Sequence, residues 1–340
     1  MLKLRSVLLL VGAVSASSAS AEPRSPTSLP TFPVVDLHVD LPYQQGFHQK
    51  SLFQGTGQAS LNALRRGAVT GVVLPLFVPR DVSPSGPRNG DLEDEYLRVL
   101  PELLRGQGLL PPGCNEGAGV RTWLSFEGAG PLADTPESLD AWVTRGVRLV
   151  GLVHTEHNAL ASSSGDKRAV TYGLTEAGKQ LVRRAHALGV AVDVSHASDR
   201  AVTDVLALAH ETGGVVVATH SNARALCDHP RNLTDEQLRG IAATGGVIGL
   251  NFHSPFVVKG RPATLVDVVR QAQHLLRVAG LEHVAIGADF EGGVRPARGL
   301  EDASRFPDLA RALIGAGVSE GAVYRVFSEN ALRVLCRSGK

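Results

Sequence analysis

Residues 190–220 read VAVDVSHASDRAVTDVLALAHETGGVVVATH. The stretch begins with a short apolar run at 190–194 that is followed by a serine and a histidine. A helical pattern lies at 201–210, and a second apolar run at 215–219 is again followed by a histidine. Short apolar runs without strict alternation are typical of strands buried on both faces. Strand, helix and strand in this order predict a parallel βαβ unit.

The same order recurs along the chain. Eight apolar runs lie at 34–37, 69–78, 120–126, 147–153, 190–194, 215–219, 247–252 and 284–287. Helical patterns separate many of them, most clearly at 175–188, 235–243 and 265–278. In the first of these, Thr175 is the expected N-cap and Gly189 the stop. Eight units in about 300 residues predict a single-domain α/β protein, a (β/α)₈ TIM-like barrel. An open doubly wound sheet is the alternative, which the lack of a GxGxxG motif after the first run disfavours.

The N-terminus has the pattern of a secretory signal peptide. Lys3 and Arg5 precede an apolar run at 7–14, and an Ala-Ser-Ala cleavage site follows at 19–21. Because the run is much shorter than the roughly 20 residues of a membrane span, a cleaved signal is favoured over a stable membrane anchor. The protein is therefore expected to be secreted or periplasmic. The chain divides into a signal peptide (1–21), a flexible leader rich in Pro and Ser (22–32) and the barrel (33–340).

Composition excludes several classes of function. Lys and Arg total 34 and Asp and Glu total 33, so the net charge of +1 gives no support for nucleic-acid or anionic-membrane binding. Aromatic residues make up 5% of the chain, too few for a base-stacking platform. The three cysteines, Cys114, Cys227 and Cys336, allow at most one intramolecular disulfide, and the sequence does not choose the pair.

Histidines and carboxylates follow the apolar runs at the points where strands should end. In a (β/α)₈ barrel these points meet at one mouth, where catalytic residues are found. The residues so placed are His38, Asp40, Glu127, His154, His196, His220 and Asp289. Their recurrence after six of the eight runs predicts one shared site. The histidines away from these points are expected to be surface or satisfied core residues; they are His48, His186, His210, His274 and His283.

The residue types at this mouth predict a metal centre. His38 and Asp40 are two residues apart on an extended segment, so their side chains point to the same side and suit zinc. His196 and His220 come from neighbouring strands and are suited to a second metal. Glu127 has two oxygens with which to bridge the pair. Two metals about 3.5 Å apart ionise one shared water, which makes a serine or cysteine nucleophile unnecessary.

As an ordered set, these residues resemble the membrane (renal) dipeptidase family of zinc peptidases. The resemblance covers the chain from Asp36 to about Leu335. The similar segments are Asp36-Leu37-His38-Val39-Asp40, Glu127-Gly128, Gly-Leu-Thr-Glu-Ala-Gly at 173–178, Asp193-Val194-Ser195-His196, Thr219-His220-Ser221-Asn222, Arg231-Asn232 and Gly287-Ala288-Asp289-Phe290. Members of this family are (β/α)₈ barrels with two zinc ions that hydrolyse dipeptides, and some also open certain β-lactams.

The resemblance implies a metal-binding role for five residues. His38 and Asp40 would hold one Zn²⁺ and His196 and His220 the other, with Glu127 as the bridge. The implied activity is that of a zinc-dependent dipeptidase, in which a metal-bridging hydroxide attacks dipeptides with a free C-terminal carboxylate. Relatives in the family are often dimers, so the resemblance is compatible with a homodimer.

The resemblance also implies residues that handle the substrate. His154 would contact the substrate and support the tetrahedral intermediate, and Arg231 would bind the substrate's carboxylate through its planar guanidinium. Asp289 would move the proton and meet the substrate's amino group. The chain departs from many relatives at His253, where they carry a pocket-lining Tyr. The stretch 155–165 is also unusual, and both departures bear on substrate preference.

Two other functions compete with this reading. One is a different dinuclear-metal amidohydrolase that acts on a cyclic amide, a nucleobase or a phosphoester. The Arg231-Asn232 pair and the HxD opening, in place of HxH, favour the dipeptidase. The other is a non-catalytic metal or peptide binder, and it is disfavoured because no residue of the inferred set is missing. His157 and His229 are expected to lie in loops or pocket walls rather than to bind metal.

Overall fold

A parallel barrel forms the centre of the computed structural model, which describes residues 30–48, 57–78, 88–104, 108–114 and 117–337. In these ranges the strands are β1 (Val34–Asp36), β2 (Val69–Leu76), β3 (Leu109–Pro112), β4 (Val120–Glu127), β5 (Val147–Gly151), β6 (Ala191–Asp193), β7 (Val216–Val217), β8 (Ile248–Leu250) and β9 (Val284–Ile286). Neighbouring strands pair in the order β7-β6-β5-β4-β2-β1-β9-β8. A parallel bridge between Ala218 and Ile248 joins the two ends of this order.

The (β/α)₈ prediction is confirmed, because each of the eight predicted runs contains one strand of the barrel. The sequence analysis missed β3, which pairs in parallel with β4 outside the barrel order. Its sequence is Leu-Leu-Pro-Pro, and prolines donate no ladder hydrogen bond, so the segment has the composition of a turn. The predicted signal peptide and nearly all of the leader lie outside the described residues. Within the ranges that the structure describes, no helix is long and apolar enough to span a membrane.

Helices surround the barrel. They are α1 (Leu41–His48), α2 (Leu61–Arg66), α3 (Asn89–Leu104), α4 (Leu139–Thr144), α5 (Glu176–Ala187), α6 (Asp199–Thr212), α7 (Asp235–Ala243), α8 (Ser254–Val257), α9 (Leu265–Ala279), α10 (Phe306–Gly315), α11 (Glu320–Tyr324) and α12 (Asn330–Leu335). Thr175 caps α5 as expected, since its side chain accepts a hydrogen bond from the backbone N–H of Gly178. Helix α6 begins two residues before the predicted start because Ser198 caps it in the same way.

Apolar side chains fill the part of the barrel that lies away from the C-terminal ends of the strands. Val35, Val73 and Trp123 point into one buried cluster that also contains Ala331 and Leu335 of α12. Helix α12 therefore packs against the inside of the barrel and seals the end opposite to the strand C-termini. Near those C-termini, a Cβ atom on Gly249 or Gly287 would lie 1.8 Å from the carbonyl oxygen of Thr219, so only glycine fits there.

A disulfide between Cys114 and Cys336 fastens the end of α12 to the segment after β3, and the two cysteines have a sequence separation of 222. The indole N–H of Trp123 points at the sulfur of Cys114 from 3.3 Å. Cys227 is buried and free. The bond links the C-terminal end of the barrel sequence to the segment between β3 and β4, and its main effect on stability is to restrict the unfolded chain.

Reduction of this disulfide is expected to lower the free energy of unfolding by about 2–4 kcal/mol, because a long loop is released in the unfolded state. We expect the melting temperature to fall by roughly 5–10 °C in the C114S/C336S variant. The same fall should follow when a reductant is added to the unaltered protein, measured by scanning calorimetry. The variant itself should not respond to reductant. Unchanged melting of a protein whose two thiols have been titrated as free would contradict this role.

Candidate metal centre and substrate pocket

One carboxylate lies at the centre of the barrel mouth. Glu127 is the last residue of β4, and its Oε1 atom lies 3.1 Å from Nε2 of His196 and 3.5 Å from Nε2 of His38. The Nε2 atoms of His220 and His154 are 3.7 and 3.8 Å from the same oxygen. Each histidine follows a different strand. The predicted convergence of strand ends is therefore observed.

The cluster contains three sets of possible ligand atoms that lie within 4.8 Å of one another. These sets are His38, Glu127 and His220; Glu127, His154 and His196; and His38, Asp40 and Asp289. Asp40 approaches His38 to 3.5 Å between Oδ2 and Nε2. His157, His229 and His253 belong to none of these sets within the described ranges.

The protonation of this cluster fits a bound cation. Thr219 donates its hydroxyl proton to Asp193, with 2.5 Å between the oxygens, so the same hydroxyl can only accept from Nδ1 of His220 at 2.8 Å. The second nitrogen of His220 then holds a lone pair, 3.0 Å from Nε2 of His196. Nε2 of His38 has no hydrogen-bond partner among the described residues. Imidazole lone pairs that face a carboxylate in a buried site are typical of metal ligands whose outer nitrogens are held by a carboxylate chain.

The electrostatics of Glu127, His196 and His220 agree with this interpretation, whereas at His38 the charges of Glu127 and Asp40 overcome burial and raise the pKa of the ring. Burial opposes ionisation of Glu127, yet the neighbouring His154 and His38 hold the pKa of Glu127 well below its usual range. Burial lowers the pKa of His196 and of His220 well below the usual value, so both rings are neutral. Metal binding requires ionised carboxylates and neutral imidazoles, and these three side chains meet that requirement. Burial also raises the pKa of Asp289 to about 7, and this group is therefore suited to carry a proton.

Two residues of the cluster have left-handed backbone conformations that are rare for side-chain-bearing residues. The φ angles are +67° at His196 and +64° at Asp289. At His196 the strained backbone is held by the unusual stretch 155–165. The carbonyl oxygen of His196 accepts a hydrogen bond from the N–H of Ser164 at 2.8 Å, while the hydroxyl of Ser163 donates to the carbonyl oxygen of His154. This stretch therefore positions two histidines of the site.

A pocket of about 320 Å³ opens above the cluster and includes Asp40, Glu127, His154, His196 and Asp289 in its lining. Arg231 lines the same pocket, and its guanidinium carbon lies 5.4 Å from the ring centre of Phe256. Arg231 is buried, and within the described part of the chain its Nη2 atom has no hydrogen-bond partner. The Oδ2 atom of Asp289 accepts from the side-chain amide of Asn251 at 3.0 Å. The pocket thus presents a buried cation and a carboxylate to a ligand.

The two departures noted in the sequence have different places. His253 lines the pocket, and its Nδ1 atom accepts the backbone N–H of Arg295 at 3.0 Å. In the stretch 155–165, His157 organises its own loop, because its Nδ1 atom accepts the N–H of Ser163 at 2.9 Å. The sequence analysis also missed the supporting roles of Asp193 and Thr219. Asp193 is the last residue of β6, three residues before His196, and Thr219 directly precedes His220, so their positions beside the two histidines were the signal that could have revealed them.

A (β/α)₈ barrel with a buried cluster of histidines and carboxylates at its mouth is typical of metal-dependent hydrolases. The family model described as Membrane dipeptidase (Peptidase family M19) matches residues 114–338. A Schizosaccharomyces pombe protein named as an uncharacterized dipeptidase is 30% identical over 335 residues, which cover 89% of this chain and 80% of that protein. The dipeptidase aclJ of Aspergillus oryzae is 28% identical over 337 residues, covering 89% and 77%. The chain belongs to the membrane dipeptidase family.

Solved structures agree with this assignment. The crystal structure of the metallopeptidase named dipeptidase AC superposes with a TM-score of 0.79 at 27% identity and covers 92% of this chain and 100% of its own. A metallopeptidase of Rhodobacter sphaeroides, crystallised with a phosphinate mimic of the dipeptide L-Ala-D-Ala, has a TM-score of 0.78 at 26% identity and covers 90% and 99%. The protein is therefore a metallo-dipeptidase by family, and it uses a metal cofactor that the buried cluster is suited to hold.

The hydroxyl of Thr219 offers a direct test of the metal centre. In Thr219→Val, the side chain of His220 loses the acceptor that fixes its proton, and metal affinity should fall by about 10- to 100-fold. Competition with a chromogenic chelator measures this affinity without reference to activity. Thr203→Val removes a hydroxyl that bonds only to the helical backbone at Asp199, and it should leave affinity unchanged. Equal affinities in the two variants would show that the Asp193–Thr219 chain does not support the ligand.

Proposed function

We propose that the protein is a dizinc dipeptidase that cleaves dipeptides with a free C-terminal carboxylate. The observation that carries this proposal is the buried guanidinium of Arg231 in the wall of the pocket above the Glu127 cluster, whose Nη2 atom has no hydrogen-bond partner among the described residues. A buried, unsatisfied donor on a cation is unfavourable, and a substrate carboxylate would remove that cost by hydrogen bonding to the guanidinium. The pocket volume of about 320 Å³ is at the lower end for ligand sites and suits a small substrate.

The ligand set supports two zinc ions. His38 and Asp40 would hold one ion, His196 and His220 the other, and Glu127 would contribute to both through its two oxygens. Ligands that are mostly imidazole nitrogens with a few carboxylates are typical of zinc in hydrolases. Such a metal pair, when bound, supplies Lewis acidity that ionises a water and polarises the peptide carbonyl.

The remaining site residues would bind and orient the dipeptide. Arg231 would hold the C-terminal carboxylate, while Asp289 would accept the N-terminal ammonium and carry the proton to the leaving amine. His154, whose side chain is 30% exposed at the pocket, would donate a hydrogen bond to the oxygen of the tetrahedral intermediate. The ionised Glu127 keeps the cluster assembled. His253 would line the wall beside the C-terminal residue.

The disulfide also supports export of the protein. Disulfides persist in oxidising compartments, so the Cys114–Cys336 bond agrees with the signal peptide inferred at residues 1–21 and with a secreted or periplasmic location. The homodimer implied by the family resemblance stays a prediction.

Removal of the Glu127 carboxylate should abolish turnover and reduce the metal content of the protein. Glu127→Gln keeps the side-chain size but lacks the charge, and we expect at least a 1,000-fold loss of kcat, roughly the loss that follows removal of a charged catalytic group. Elemental analysis should find about two zinc ions per unaltered chain and fewer in the variant. Glu137→Gln, at an exposed position between β4 and β5, is the control. Full activity of Glu127→Gln would exclude the dinuclear assignment.

Substitution of Arg231 should slow the hydrolysis of dipeptides with a free C-terminal carboxylate and leave the hydrolysis of their C-terminal amides nearly unchanged. For Arg231→Lys, which keeps a charge but lacks the planar fork, kcat/KM for Ala-Ala should fall by about 100-fold. For the C-terminal amide of the same dipeptide, which the unaltered enzyme should hydrolyse poorly, the change should stay within about threefold. A loss of similar size on both substrates would show that Arg231 does not bind the carboxylate.

A further inference from the structure

One side of the substrate pocket is formed by aromatic rings to which the proposed reaction gives no role. Tyr43 of α1 and Phe77, the residue directly after β2, both line the pocket, and their ring centres lie 5.7 Å apart in an edge-to-face arrangement. The ring of Phe77 also lies 4.5 Å from that of His154. Both aromatic side chains are half-buried, so part of their apolar surface is open to the pocket. We call Tyr43 and Phe77 the aromatic wall.

Contacts behind the rings hold the aromatic wall in place. Tyr43 packs against Phe47 and His48 of its own helix, with ring centres 5.8 and 4.8 Å apart. The guanidinium of Arg98 on α3 lies over the ring of Phe47, 5.5 Å from its centre. Phe77 directly follows β2, whose last residue pairs with β4. A surface fixed in this way loses little side-chain entropy when a ligand packs on it.

The strand order places the aromatic wall across the mouth from Arg231. In the closed order of the barrel, β2 is the fourth strand from β7 in either direction, and β1 is next to β2. Phe77 follows β2 and Tyr43 follows β1, whereas Arg231 follows β7 and stacks on Phe256 in the segment after β8. Arg231 and the aromatic wall therefore occupy opposite sides of the same pocket.

Two carboxylates lie next to the aromatic wall. Asp40 and Asp289 follow the neighbouring strands β1 and β9. A Cβ atom on Gly292 would lie 2.5 Å from Oδ2 of Asp40 and 2.6 Å from Oδ1 of Asp289, so the two carboxylates approach the same point of the lining. Gly292 and Gly293 both line the pocket without a side chain, which leaves room for a ligand on this side.

We propose that the aromatic wall binds the side chain of the N-terminal residue of the substrate, so that the preferred dipeptides begin with a large apolar residue such as phenylalanine or leucine. This inference rests on the proposed dipeptidase function. With its C-terminal carboxylate on Arg231 and its ammonium group on Asp289, a dipeptide crosses the mouth, and its first side chain lies on the side of the aromatic wall. Apolar surface then leaves water on both the substrate and the rings.

The charges near the aromatic wall favour an apolar over a basic side chain. Among the described residues that line the pocket, the carboxylates are those of Asp40, Glu127 and Asp289. In the proposed reaction the first two bind metal and the third accepts the ammonium group, so a second cation would find no carboxylate free. A lysine side chain would also lose hydration of its charge against the half-buried rings, a cost that an apolar chain of the same length avoids.

Matched dipeptides test this preference on the unaltered, zinc-loaded enzyme. We expect kcat/KM for Phe-Ala to be about tenfold higher than for Ala-Ala, since a well-placed apolar group is worth roughly that much in a pocket. Norleucine-Ala should exceed Lys-Ala by a similar factor, although the two side chains have nearly the same length. Equal values for Phe-Ala and Ala-Ala would overturn the proposal, and so would faster hydrolysis of Lys-Ala than of norleucine-Ala.

Variants of the aromatic wall should change the ratio of kcat/KM for Phe-Ala to that for Ala-Ala. Phe77→Ala and Tyr43→Ala should each lower this ratio from about tenfold to about twofold, whereas Phe77→Leu and Tyr43→Phe, which keep apolar side chains, should retain most of it. Because Phe77 also contacts His154, Phe77→Ala is expected to slow every substrate to some extent, and a loss shared by all substrates cancels in the ratio.

Two controls show whether the effect belongs to the first residue of the substrate and to this surface. Ala-Phe has the same composition as Phe-Ala but carries its ring on the C-terminal residue, and its ratio to Ala-Ala should stay constant in all four variants. Tyr324→Ala removes an exposed ring from α11 and should leave every ratio unchanged.

The remaining outcomes distinguish this proposal from the function on which it rests. Unchanged ratios in Phe77→Ala and Tyr43→Ala, with Ala-Ala still hydrolysed, would show that the rings only support His154 and would overturn the proposal. A loss confined to Ala-Phe would assign the aromatic wall to the C-terminal residue and would overturn it as well. Both results leave the dipeptidase function intact, whereas failure of the unaltered protein to hydrolyse any of these dipeptides, with metal bound, would overturn that function too.

Discussion

The convergence of four imidazole Nε2 atoms on a single carboxylate oxygen of Glu127 is the constraint on which the upper half of the barrel depends. Two of these rings, His196 and His220, are neutral and present lone pairs to the carboxylate, and burial adds the cost of desolvating its charge. The arrangement is stable only when a cation occupies the space between these atoms or when the scaffold holds them in place. The hydrogen bonds of Thr219 and Ser164 supply that hold, at His220 and at His196. The metal centre is therefore built before the metal binds.

The opposite end of the barrel supplies the rigidity that this requires. The strand ends are short, and left-handed residues at His196 and Asp289 persist only where the surrounding structure determines them. Helix α12 fills the lower barrel with Ala331 and Leu335, and the Cys114–Cys336 disulfide holds the end of that helix in place. The packing around α12 at one end of the barrel and the strained backbone of His196 and Asp289 at the other are thus connected through the same eight strands. A loss of packing around α12 would loosen the metal centre without contact with any ligand.

Local patterns in the sequence were sufficient for the barrel and for the residues at its mouth. Buried parallel strands are short apolar runs, and the residue after such a run must lie at the mouth, so His38, His196 and His220 could be placed together without a structure. The sequence does not show which loops cross the mouth. The contacts of Ser163 with His154, and of Arg295 with His253, join residues that are distant in the chain and depend on tertiary packing. The pairing of Cys114 with Cys336 and the strand β3, whose prolines resemble a turn, could not be read from periodicity for the same reason.

The residues proposed to carry out the reaction follow the strands, whereas residues that can influence substrate preference lie in the connections between strands. The proposed ligands follow strands whose register the barrel determines, so a substitution there changes the reaction itself. His253 and Arg295 belong to two loop segments that pair with each other through the bridge between His253 and Pro296. Arg231 lies close to both regions, since its guanidinium stacks over Phe256 and lines the pocket above the cluster. Because the loop segments carry their own hydrogen bonds, their side chains can change without disturbing the metal centre. Substrate preference can therefore diverge among members of the family while the metal-binding residues stay the same.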